Sequence, residues 1–237
     1  MLHFFRRIRK GLIASSSTRK YLLYAVGEIA LVVIGILIAL QINNWNENHK
    51  KSVIELRMLR QVASDIENDT LLYNSGMVSL NMAIELIDNI QSEFAQDLPF
   101  NDSMSIKLAQ VSLMGVSELK LAIYENLKSV GLEIIENDQL RNDIISYYED
   151  KSAMNRTNEK YDSGIYFREN IYPEFFQSFA WGRRAIPKSY SALKVESKFL
   201  IALDYVDNDA HHYRGRLRRM KAKAKALHQN ISEIISR

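Results

Sequence analysis

Between Tyr21 and Ile42 the chain runs for 22 residues with one side chain that is charged at neutral pH in water, Glu28. As a helix rising about 1.5 Å per residue, this stretch is roughly 33 Å long, enough to cross a hydrocarbon core about 30 Å thick. Such a run restricts the chain to a membrane-spanning helix or an export signal. A cleaved signal has an apolar region of about 7–15 residues and a small-x-small cleavage site. Here the run is longer, and Gln41-Ile-Asn-Asn-Trp-Asn46 closes it. The reading is an uncleaved signal anchor, with one transmembrane helix over 21–42.

Charge orients that helix. Residues 1–20 carry Arg6, Arg7, Arg9, Lys10, Arg19 and Lys20 and no acid, within a chain of net charge +3. Short basic flanks stay in the cytoplasm, so the large C-terminal part is expected on the far side of the membrane, which in a bacterium is the periplasm. The opening segment also reads as amphipathic, with Leu2, Phe4, Phe5, Ile8, Leu12 and Ile13 supplying an apolar side. It would rest on anionic headgroups. Tyr21, Tyr24 and Trp45 stand where interfacial aromatic residues belong.

At 100° per residue Glu28, Val32, Gly35, Ala39 and Ile42 share one helix face. Gly35-x-x-x-Ala39 is a small-x-x-x-small pair that admits a close partner helix, and a carboxylate in lipid calls for protonation or a partner. A transmembrane interface of Glu28, Val32, Gly35 and Ala39 is expected, in a homo-oligomer or with another membrane protein. A monomer with Glu28 protonated is the plainer alternative.

The stretch Ala25-Val-Gly-Glu-Ile-Ala-Leu-Val-Val-Ile-Gly-Ile-Leu-Ile-Ala-Leu-Gln-Ile-Asn-Asn-Trp-Asn-Glu47 resembles the signature of an uncharacterised family of single-span membrane proteins from Gram-negative bacteria. The Phe4–Arg9 opening is similar to that family's start. Tyr124-Glu-Asn-Leu-Lys-Ser-Val-Gly131 resembles a second family pattern, with Val130 in place of the usual Ser. The resemblance implies a topology and supplies no catalytic residue.

Beyond the span, Leu56, Leu59, Ala63, Ile66, Thr70, Tyr73, Met77, Leu80, Ile84, Ile87, Gln91 and Phe94 step by three and four, as a packed helix requires. Leu203, Val206, Ala210, Tyr213, Leu217, Met220, Ala224, Leu227, Ile231 and Ile234 repeat the pattern. Two matching stripes predict an antiparallel pair that returns Arg237 toward the membrane. Pairing with a second copy is the alternative. Gly76 is a weak point in the first helix. Between the stripes, helices are expected over Ser103–Met114, over Ser117–Val130 with Gly131 closing it, and from Asn137 or Asp138 toward Tyr172, where Pro173 ends or kinks the helix. Trp181–Pro187 reads as a loop, and no alternating strand run stands out.

The fold class is therefore all-α. An elongated antiparallel bundle over 43–237 would have coiled-coil-like stalk helices near 47–95 and 198–236, with a distal head near 103–190. Residues 161–190 hold nine of the 23 aromatics, beginning at Tyr161. That density marks either a distal core or an interaction patch of Tyr172, Phe175, Phe176, Phe179, Trp181, Arg183 and Arg184.

The run Arg214, Arg216, Arg218, Arg219, Lys221, Lys223 and Lys225 is most simply a solvated face. Contact with anionic lipid is a second reading, and nucleic acid a third that a periplasmic location disfavours. Asp65 and Asp69 pair on one helix face and read as solvated acids. His211 and His212 diverge, and Asp207 with His211 offers two metal ligands at most. No phosphate loop, nucleophile elbow or zinc motif is present. The chain is expected to be a non-enzymatic interaction or scaffold protein without cofactor or metal. Its partners would be membrane lipid and its own copies or another membrane protein, with no nucleic acid. A periplasmic sensor relaying ligand binding through the span is the alternative.

Overall fold

The structure, a computed structural model, describes residues 18–113, 118–160 and 163–236. The expectations for the basic residues 1–17, for a helix start at Ser117, for Tyr161 and for the return of Arg237 fall outside the described residues, as do the side chains of Tyr21 and Tyr24. The chain divides into two units, 1–54 and 55–237.

The long helix α1 runs unbroken over Thr18–Ala95 and belongs to both units. The sequence suggested two elements, a span and a stalk helix. Nothing between Ile42 and Ser52 breaks the helix, because Gln41–Lys51 contains neither Gly nor Pro. In the first unit the large apolar side chains from Leu22 to Ile42 that the structure describes are all 47–67 % exposed. This is the one helix among the described residues long and apolar enough to cross a membrane.

In the second unit the expected stripe of α1 faces inward. Leu59, Ile66, Tyr73 and Ile87 are fully buried, and no member of the stripe is exposed. Helix α1 stops at a left-handed Asp97 (φ 53°), where Asp97 N–H donates to the Phe94 carbonyl and Leu98 N–H to the Glu93 carbonyl. This is the two-bond C-terminal closure that usually takes Gly at that position, and Pro99 follows to prevent extension. Helices α2 (Asp102–Gln110) and α3 (Ala122–Val130) come next, then α4 (Asp138–Lys160). Asn101 and Asn137 cap α2 and α4 by accepting from Met104 and Leu140 N–H at 2.9 Å. Gly131 closes α3 at φ 104°, and its N–H bonds the Leu127 carbonyl.

After α4 the chain turns through α5 (Ser163–Tyr166), a π-helical turn (Phe167–Ile171) and α6 (Tyr172–Phe175). An antiparallel hairpin follows, β1 (Phe176–Ala180) with β2 (Arg184–Pro187). The loop expected over Trp181–Pro187 is thus a turn and a strand. Gly182, at φ 64°, makes the turn. The strands carry no sequence signature because β1 shows no clean alternation, its burial running from Phe176 inward to a half-buried Ser178 and Phe179 together. Helix α2 supplies the order instead: Ser105 Oγ donates to the Ala185 carbonyl at 3.1 Å. The short α7 (Tyr190–Leu193) and the long α8 (Ser197–Ile235) complete the unit.

Cross-links between helices fix the threading. Gln91 donates to Asp204 and Arg214 to Asn81, both at 2.9 Å, and Gly76 lies against Leu217. Ascending numbers on α8 meet descending numbers on α1, so the pair is antiparallel. Helix α4 runs parallel to α1, since Glu136 meets Glu55 while Tyr147 meets Asp69 and Tyr73. Its stretch was expected in a distal head, yet its contacts are with Asp65, Asp69 and Tyr73. The result is an up–up–down three-helix bundle, with a second core where Ile87, Ile90, Leu108, Phe167, Tyr172 and Phe199 meet.

Candidate functional site

The apolar stripe of α4 reads Leu140, Ile144, Tyr147 and then Lys151, and Lys151 is completely buried. An ammonium there must find acceptors, because burying a bare charge is prohibitive. It finds two on α1, one helical turn apart: Asp65 Oδ2 at 3.1 Å and Asp69 Oδ2 at 2.6 Å. Tyr148 donates to Asp65 at 2.8 Å and Tyr147 to Asp69 at 2.6 Å. Tyr147 has only one proton and gives it to Asp69, so in the 3.0 Å contact between Tyr73 and Tyr147 the hydroxyl of Tyr73 is the donor. Tyr124 of α3 stacks on Tyr148 at 4.9 Å and 4°.

The expectation that Asp65 and Asp69 are solvated is therefore corrected. Asp69 is 2 % exposed and Asp65 half-buried, because α4 brings a cation and two phenols against them. The clue was present in Lys151, a charge on a core-facing stripe, but only the fold shows which acids answer it. Two carboxylates against one ammonium leave an excess negative charge in a dry site. Burial pushes the Asp69 carboxyl above its ordinary range, against the opposing pull of Lys151 and Tyr147. Burial and the neighbouring carboxylates hold the phenols of Tyr73 and Tyr148 far above theirs; for Tyr147 burial, Tyr73 and Asp69 do so. All three phenols stay protonated donors. Each polar group named is satisfied within the cluster, which suits it to fix the register of α4 on α1.

The aromatic stretch divides. Tyr172 and Phe176 are buried in the second core, and Phe175 and Phe179 pack half-buried against it. The Tyr172 hydroxyl donates to the Leu108 carbonyl at 2.7 Å, and burial pushes it up to about 12. Trp181, Arg183 and Arg184 at the hairpin tip are exposed. The Arg168 guanidinium lies 5.3 Å from the Trp181 ring and donates to the Ser112 carbonyl. Of the expected patch, the tip alone remains available to a partner.

Of the predicted transmembrane face, Val32, Gly35 and Ala39 are exposed and Glu28 is half-exposed. A Cβ added at Gly35 would meet nothing within 4 Å. A second exposed apolar set lies farther along α1: Leu71, Val78 and Met82, at 64, 58 and 66 % exposure, on the side facing away from α4 and α8. These three fall outside the main stripe of the helix, which is why the stripe does not announce them. His211 and Asp207 approach to 3.7 Å, and no group of three metal-ligating side chains gathers among the described residues.

Residues 28–91 match the model of a family of unknown function, DUF6090. The matched stretch begins at Glu28 and ends at Gln91, taking in the apolar face, Asp65, Asp69, Tyr73 and the exposed set on α1. No curated protein and no solved structure matches the chain.

Proposed function

We propose that this chain is a non-catalytic interaction protein anchored in the bacterial inner membrane by a single span, with its basic N-terminal segment cytoplasmic and its helical domain periplasmic. The observation that carries the reading is the exposure of every described large apolar side chain from Leu22 to Ile42, on a helix that continues into a folded domain. Those side chains need lipid or protein around them. The Glu28–Val32–Gly35–Ala39 face supports a partner helix, because open space at Gly35 permits close approach. The exposed Leu71, Val78 and Met82 support a second contact on the same helix.

Cross-linking in native membranes tests the reading. Wild type is expected to give a discrete oligomer or heteromer that Glu28→Ala and Gly35→Leu weaken. Monomer throughout would remove the transmembrane interface from consideration.

A further inference from the structure

Helices α4 and α8 enclose a groove of about 240 Å³ lined by Asp150, Ala153, Met154, Arg216, Arg219, Met220 and Lys223. Arg216, Arg219 and Lys223 project from α8 at intervals of three and four, so their charges converge on one side of it. Lys223 is held by Asp150 at 2.5 Å and by Ser146 at 2.8 Å. Arg216 and Arg219 have no hydrogen bond or ion pair among the described residues. Three cations against one carboxylate leave the groove two positive charges in excess. Its floor is apolar, with Met154 and Met220 buried.

We propose that this groove binds a small organic phosphate monoester. Two guanidiniums offer paired N–H donors to phosphate oxygens. A monoester carries about −1.5 to −2 near neutral pH, which balances the excess. The volume exceeds what the phosphate alone needs and leaves the methionine floor for the organic part. The ligand would bridge α4 and α8, a role separate from the interaction surfaces on α1. The monoester could belong to a free metabolite or to the headgroup of phosphatidic acid.

The test is calorimetric titration of the full chain in phosphatidylcholine nanodiscs with glycerol 3-phosphate, against sodium chloride of equal ionic strength. Saturable binding is expected, weakened about tenfold or more by Arg216→Gln with Arg219→Gln, since each removes a charge-assisted contact. Arg218→Gln with Lys225→Gln takes the same charge from the same helix outside the groove and should leave binding intact. Circular dichroism would establish that both variants are folded. Equal loss in the two variants, or no heat beyond the chloride control, overturns the proposal. Repeating the titration in nanodiscs containing phosphatidic acid, against phosphatidylglycerol nanodiscs of equal charge, separates the sources. Lower apparent affinity with phosphatidic acid than with phosphatidylglycerol identifies the headgroup as a competing occupant, and equal affinity identifies a free ester.

Discussion

Lys151 illustrates how one residue governs two helices. Its ammonium is fully buried and shared by Asp65 and Asp69, so Lys151→Met leaves two carboxylates facing each other without a cation. Breaking a buried pair in this way costs about 3–5 kcal/mol. Replacing all three residues by apolar ones of similar volume should cost less than the single change. Urea unfolding of the full chain in detergent would show the order, and a triple variant weaker than Lys151→Met would contradict it. The raised Asp69 carboxyl sets a pH dependence. Below its ordinary value near 3.8 the group is protonated folded or unfolded, and its contribution is fully present. As pH rises toward the folded value, the unfolded chain ionises first and stability falls. Wild type should therefore lose melting temperature across the range just above that ordinary value. Asp69→Asn should flatten that part of the curve.

Helix packing turns on close approach. A Cβ on Gly76 would stand 3.0 Å from Leu217 Cδ1, so the residue that sequence reading marks as a weak point is one that α8 packs closely against. Gly76→Leu is expected to cost about 1–3 kcal/mol through overpacking, and adding Leu217→Ala should recover part of it. The same denaturation series measures both, and absence of recovery would place the strain elsewhere. Gly182→Ala should also destabilise, since φ is 64° and the new methyl would meet Leu113 Cδ1 at 2.9 Å. The two stripes on α1 and α8 were legible because each repeats at helical spacing over many turns, and both point inward. The hairpin was not legible. Residues 176–187 carry no two-residue alternation, and packing on α2 decides their conformation. The buried charge cluster was legible only in part. Asp65 and Asp69 have the spacing of ordinary surface acids, and the cation that claims them lies 86 and 82 residues away.

At the scale of the whole molecule, orientation is the proposal with the widest consequences. Alkaline phosphatase fused after Arg237 should be active, and a reporter that requires the cytoplasm should be silent there. The opposite result would reverse the assignment of the basic segment and of the helical domain.

Helices α1 and α4 run in the same direction, and α8 crosses back over both. Synthesis at about 5–20 residues per second brings out Asp69 roughly 4–16 s before Lys151, and Asn81 roughly 7–27 s before Arg214. Through that delay the Asp65–Tyr73 part of the inward ridge of α1 waits for α4, and the Gly76–Asn81 part waits for α8. A neighbouring nascent molecule offers the same ridge sooner, so the timing of emergence puts intermolecular pairing in competition with native closure.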